Sequence, residues 1–236
     1  VRLWRIVWVV TSLVVVQAVV CGLALLPVVI LWRRFIVPLD PLTRTLVISA
    51  AAVPSYVLFA LCLVAVSPVV VRAVGWRTPA DAAMRIADLD WPLLGWVRYG
   101  ASIHLTRVLA GTIFRGTPIW TSHLRWFGAK LGRRVYVNSL AVSDYNLLEF
   151  DDGVVIGGSV HLSGHTVESG IVRTARVRLG PNVTIGLGSV IEIGVEIGAN
   201  AQVGALSFVP KYTKLAGGVT YVGVPAAPLH TSATRL

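Results

Sequence analysis

From Leu179 the chain divides into seven consecutive hexads: LGPNVT, IGLGSV, IEIGVE, IGANAQ, VGALSF, VPKYTK and LAGGVT. Their first position is always aliphatic: Leu179, Ile185, Ile191, Ile197, Val203, Val209 and Leu215. Their fifth is small or β-branched: Val183, Ser189, Val195, Ala201, Ser207, Thr213 and Val219. Glycine holds the second position in four of the seven. A period of six is neither that of a helix nor the simple alternation of a strand. Exact repetition of so short a unit marks a stacked architecture. It fits a coil in which each hexad makes one flat side of a triangular prism, with the aliphatic residue pointing inward and the small residue near the corner. Glycine allows the sharp bends between sides. Three hexads complete one turn, so 179–220 covers a little more than two turns.

An earlier set, FDDGVV at 150, IGGSVH at 156 and LSGHTV at 162, runs in another phase. From Leu162 to Leu179 is 17 residues, one short of three hexads. The segment HTVESGIVRTARVR (165–178) is therefore expected to leave the regular path as a loop or a distorted coil. LGRRVYVNSLAV (131–142) reads as the opening coil, which places the coiled domain at 131–226 with a tail at 227–236.

The N-terminal third is different in kind. Residues 6–32 and 46–71 contain no charged side chain, and a bilayer span needs about 20 such residues. Both runs are long enough to cross with some tilt, so 1–72 reads as a transmembrane helical hairpin. Pro27, Pro54 and Pro68 are tolerated in such helices. The first run is longer than the apolar core of a cleaved signal peptide. Overall, 55% of residues are hydrophobic and 14% charged, against roughly 25% charged in an ordinary globular domain. Mean hydropathy is +0.74.

The net charge of +10 resolves along the chain. Residues 1–134 hold 15 Lys and Arg against 4 Asp and Glu; residues 135–236 hold 6 against 7. Basicity thus lies beside the apolar runs, where it suits a membrane surface, and not on the coiled domain, as nucleic-acid binding would require. The positive-inside rule favours both ends on the cytoplasmic side of an inner (plasma) membrane, although Arg33, Arg34 and Arg44 in the loop oppose it. Residues 73–130 interleave Trp76, Trp91, Trp96, Tyr99, Trp120 and Trp126 with arginines. This reads as an amphipathic helical linker, either interfacial, at headgroup level, or simply packed. Cys21 and Cys62 lie inside the apolar runs and form neither a disulfide framework nor a zinc motif.

The hexads resemble those of the left-handed parallel β-helix (hexapeptide-repeat) acyltransferases, and GVPAAPL (223–229) resembles their closing motif. A closer resemblance covers roughly 92–230. FRGTPIWTSHLRWFGAKLGRRVYV, LLEFDDGVVIGGSVHL, LGPNVTIGLGSVI and YVGVPAAPL are similar to the membrane-linked terminal region of polylysine-synthetase-type non-ribosomal peptide synthetases. In that family, membrane helix pairs alternate with β-helix-like units after adenylation and carrier domains. The chain begins with Val1 and carries no adenylation or carrier motif. The resemblance thus implies one unit of such a machine or a stand-alone relative. The expected fold is two transmembrane α-helices, a helical interfacial linker and a left-handed parallel β-helix domain.

The resemblance implies acyl or aminoacyl transfer from a thioester, on coenzyme A or a carrier-protein phosphopantetheine arm, to an amine or hydroxyl. His165, at the break in the repeat, matches the position of the family's catalytic base, and an imidazole titrates in the right range. Its other reading is a turn cap. Glu168 could orient it, and His161 is a lesser candidate that reads better as a corner or surface residue. His104 and His123 read as structural, and His230 lies in the tail. By resemblance Gly204, Ala205 and Ser207 would line the donor arm and Lys211 could meet a phosphate, although Lys211 and Lys214 also read as a solvated pair. No residues have metal-ligand spacing. The expected partners are the bilayer, a homotrimer or tandem sister units whose neighbouring prism walls the site, and adenylation or carrier domains. Two alternatives stay open: a stand-alone acetyltransferase of a sugar or small molecule, and a non-catalytic trimerisation scaffold at the membrane.

Overall fold

The computed structural model describes residues 2–229; His230, placed in the tail by sequence, lies outside the described residues. Helix α1 (Arg2–Leu31) runs on into a π-helical turn at Trp32–Ile36. Helix α2 (Pro41–Ala73) starts where Asp40 accepts a hydrogen bond from the Thr43 amide and Pro41 supplies a pre-set φ. Both helices are long and apolar enough to cross a membrane. Val20, Ala24 and Val28 of α1 are buried, while Val7, Trp8, Val14 and Leu23 are exposed. The indole of Trp32, just past α1, donates to Ser55 Oγ in the middle of α2 at 2.8 Å.

The second half of α2 is covered by the segment that follows it. That segment comprises a short strand β1 (Ala83–Arg85), α3 (Trp91–Thr106), a π-helical turn (Arg107–Gly111), α4 (Thr112–Phe114) and α5 (Pro118–Trp126). The Thr106 hydroxyl donates to Ser67 Oγ at 3.1 Å, and Tyr56 Oη donates to the Leu109 carbonyl at 2.7 Å. Pro68 has no N–H to give the Val64 carbonyl four residues back. His123 Nδ1 meets that freed carbonyl at 3.0 Å, as the proton donor of a neutral ring. Burial holds the His123 pKa down at about 4, so the ring stays neutral, and it stacks on Trp120. Within the linker, Trp120 and Leu124 are fully buried between α2 and the first coil, whereas Trp91 and Trp126 are exposed. The strand at 83–85 has no counterpart in the sequence reading.

From Lys130 the chain coils. The strands are β2 (Lys130–Leu131), β3 (Tyr136–Val137), β4 (Leu148–Phe150), β5 (Val155–Ile156), β6 (His161–Leu162), β9 (Val177–Leu179), β10 (Thr184–Ile185), β11 (Val190–Ile191), β12 (Glu196–Ile197), β13 (Gln202–Val203), β14 (Phe208–Val209), β15 (Lys214–Leu215), β16 (Thr220–Val222) and a returning β17 (Ala227–Pro228). They stack into three sheets ordered β15-β12-β9-β4-β2, β17-β16-β13-β10-β5-β3 and β14-β11-β6, visited in rotation. Neighbours are parallel throughout except β17 on β16. In the later coils, partners lie 18 residues apart, as in Ile185↔Val203 and Ile197↔Leu215. The aliphatic first positions form interior columns, for example Val137, Ile156, Ile185, Val203 and Tyr221. Ile156, Ile185 and Ile191 are wholly buried. Gly186 has a steric reason: a Cβ there would lie 2.5 Å from the Ala205 backbone nitrogen of the next coil.

The break in the repeat is an inserted hairpin. Phe150 stacks beneath Leu179, 29 residues away instead of 18. The excess leaves the prism as β7 (His165–Glu168) and β8 (Ile171–Thr174), an antiparallel pair, with β1 as the third strand. Met84, Val172 and Leu93 give this small sheet its own core.

Candidate active site

His165 is the first residue of the hairpin, where the chain turns out of the third face. Its Nδ1–H donates to Asp144 Oδ2 at 2.5 Å. Ser163 fixes the turn: its hydroxyl accepts from the His165 amide at 3.1 Å and donates to the His165 carbonyl at 2.9 Å. Ser143 Oγ donates to Ser163 Oγ at 3.1 Å. Asp144 is almost fully buried and its backbone is left-handed, φ +50°, a conformation that aspartate and asparagine tolerate better than other side chains. The Thr78 hydroxyl donates to its second oxygen, Oδ1, at 2.8 Å. Thr78 is clamped in turn by Asn146, which donates to its carbonyl at 2.8 Å and accepts from its amide at 3.2 Å. The carboxylate is thus held from both sides, and it holds the imidazole.

Burial pushes the His165 pKa down, but the hydrogen bond and charge of Asp144, with the charge of Glu192, outweigh it and leave it above its ordinary value. With Nδ1 taken by Asp144, Nε2 is the nitrogen available for proton transfer. His165 and Asp144 line a cavity of about 500 Å³ whose other walls are Gln17 of α1, Trp96, Gly100 and His104 of α3, and Arg107. The Trp96 ring lies edge-on to His165 with centroids 5.0 Å apart. The arrangement is a buried carboxylate, an oriented imidazole and a largely apolar chamber, a geometry suited to general base catalysis.

The other expected residues lie elsewhere. Glu168 does not orient His165. In an extended strand, residues three apart point to opposite faces and are separated by about 10 Å, and Glu168 instead forms an ion pair with Lys211. Lys211, which the resemblance set at a phosphate, is the partner in that ion pair. Ser207 does not line a groove: it is buried, and its hydroxyl accepts the Gly223 amide at 3.2 Å. The Gly204 carbonyl accepts from Ser189 Oγ at 2.8 Å, and Ala205 lies exposed at the corner. Gly204 and Ser207 thus bond one coil to the next. His161 is exposed on the outside of β6. His104, read as structural, faces the cavity with its Nδ1 3.0 Å from Arg107 Nη2. Among the described residues no group of His, Cys, Asp and Glu could hold a metal. This chain's own α1 and α3 supply walls of the site.

Sequence reasoning missed Asp144. Its one mark is that the inward rhythm stretches between Val142 and Phe150, eight residues where six are regular. Gly164 is the residue that lets the two strands of chain approach. A Cβ there would lie 2.9 Å from Asp144 Cβ and 2.9 Å from Leu147 Cδ1. Gly164→Ala is expected to destabilise the protein by about 1–3 kcal/mol and to part His165 from Asp144. Thermal unfolding together with the imidazole titration by NMR checks both effects.

No protein-family model matches the chain. It is similar to a delta-poly-L-ornithine synthetase of Acinetobacter baumannii, 23% identical over 158 residues. The match covers 66% of this chain but only 11% of that protein, so the chain spans about a tenth of its length. Among solved structures it is similar to a galactoside acetyltransferase in complex with coenzyme A (25% identity, 48% of this chain and 69% of the other, TM-score 0.39). It is also similar to the acetyltransferase domain of PglB from Neisseria gonorrhoeae (28%, 43% and 43%, 0.36) and to a maltose O-acetyltransferase from Clostridium difficile (22%, 59% and 88%, 0.38).

Proposed function

We propose that the chain is a membrane-tethered acyl or aminoacyl transferase with His165 as general base and Asp144 as the residue that orients it. The observation that carries this reading is the Asp144–His165 pair at 2.5 Å, with the ring facing a cavity of about 500 Å³. An amine nitrogen attacks the thioester carbonyl carbon and a C–N bond forms. The amine proton passes to Nε2 of His165, the C–S bond breaks, and the thiolate leaves with a proton returned from the imidazolium. Asp144, hydrogen-bonded to Nδ1, stabilises that imidazolium.

The similarity to a poly-ornithine synthetase favours an aminoacyl thioester on a carrier arm as donor and an amino acid or growing peptide amine as acceptor. In this reading α1 and α2 span the inner membrane and the coils form a left-handed β-helix on the cytoplasmic side. Sister units or a homotrimer assemble around it. The test offers acetyl-CoA and a loaded aminoacyl carrier protein separately to the detergent-purified protein, with a panel of amines and sugars. Thiol release is followed for wild type and His165→Ala. Carrier-dependent release that falls about 10²–10⁴-fold in the variant is the expected result. CoA-dependent release lost in the variant would instead mark a stand-alone acetyltransferase, and no release from either donor would leave a scaffold.

A further inference from the structure

A second cavity, of about 800 Å³, lies where α2 ends and α3 begins, and shares no lining residue with the first. Three arginines face it: Arg77, Arg98 and Arg176. Arg176 is committed to Asp81 at 2.8 Å and Glu149 at 3.4 Å. Arg98 is different. It is 8% exposed, and its Nε and Nη2 are buried with no hydrogen-bond partner. Its guanidinium carbon lies over the Trp76 ring at 5.6 Å and over the Trp91 ring at 5.7 Å. Among the described residues no carboxylate forms an ion pair with Arg77 or Arg98. A buried guanidinium with unmatched N–H groups is costly, and folded proteins seldom leave such groups unmatched without a ligand or a functional reason.

The surroundings add to the same sign. Trp91, Pro92 and Gly95 of the 16-residue α3 line the cavity from its N-terminal end. The first amides of a helix carry partial positive charge and attract anions. The Asp90 side chain makes no capping bond to those amides and is directed to Arg5 at 3.5 Å. A guanidinium offers planar, charged N–H donors that match the oxygens of a phosphate.

We propose that this cavity binds a phosphate ester, held by Arg98 and Arg77 and by the start of α3. The proposal does not depend on the transfer reading: Arg77, Arg98 and the start of α3 line only this cavity, although Thr78, also in its lining, donates to Asp144 of the other. The ester can come from an anionic phospholipid headgroup, for which the Trp4–Trp8–Trp91 cluster beside it is suited, or from the phosphates of a pantetheine-type donor.

Thermal unfolding of the full chain in a neutral detergent distinguishes them, because a ligand that binds only the folded state raises Tm by mass action. The probes are phosphatidylglycerol, phosphatidylcholine, CoA and inorganic pyrophosphate. A saturable rise with phosphatidylglycerol but not phosphatidylcholine assigns a lipid site. A rise with CoA and pyrophosphate but not lipid assigns a donor site. Either rise is expected to need at least about tenfold more ligand in Arg98→Gln, to survive in part in Arg98→Lys, and to persist in His165→Ala. Arg77→Gln, at the exposed rim, carries the test if Arg98→Gln does not fold. The proposal is overturned if neither phosphate-bearing class gives a saturable shift, or if the folded arginine variants respond like wild type.

Discussion

Asp144→Asn is expected to lower kcat/KM for transfer by about 10²–10⁴-fold while the protein still folds. The fold should survive because asparagine also tolerates φ +50° and can still accept from the Thr78 hydroxyl that now meets Oδ1 at 2.8 Å. What it cannot do is stabilise a charged imidazole. In the wild type, Asp144 raises the His165 pKa against the opposing effect of burial. The base works only when neutral, so activity should rise with pH through a value above the ordinary 6.5 or so of an imidazole. In Asp144→Asn, burial loses its main opponent, and the acid limb of the profile should move to lower pH. The stability linkage has the opposite sense. A raised His pKa stabilises the fold fully below its unfolded value, and that contribution is lost as pH rises through the folded value. A pH–rate profile of both proteins is the measurement. An acid limb that stays in place would mean that Asp144 does not govern His165.

The largest expected effect on stability is in the prism. Ile185 is fully buried between Ile156 and Val203, and Ile185→Ala should cost about 2–5 kcal/mol, because stacked coils cannot close the space left behind. Thr184, one residue back, faces outward in the same strand, and Thr184→Ala should change stability by no more than about 0.5 kcal/mol. Unfolding midpoints of the two variants side by side test the inward register directly. Equal losses would show that the period of six had been set one residue out.

Hairpin and helices differ in how far they could be read. HTVESGIVRTARVR was recognisable as a departure from the repeat, because Leu162 to Leu179 is out of phase. Its form was not, since β7 pairs with β8 and β8 with β1, some 90 residues earlier. The same limit hid the clamp on Asp144: Thr78 is 66 residues away. The interleaved tryptophans of the linker left headgroup and packed readings open, because composition alone does not say which face of a helix a neighbour covers. Trp120 is wholly buried and Trp91 is not.

What the sequence determined by itself was whatever recurs or runs on locally. The aliphatic position every six residues specifies a coil and its interior, since each hexad meets the same steric demand as the one before it. Two long uncharged runs specify a pair of apolar helices, since nothing else satisfies so much backbone in so apolar a segment. The loss of phase after Leu162 marked the break, and the resemblance to β-helix acyltransferases singled out His165 within it. The tertiary structure alone decided which carboxylate faces that histidine. Glu168 is three residues away along an extended strand and cannot reach back. Asp144 is 21 residues away and lies beside it, because the coil returns to the same edge and Gly164 leaves room for the approach.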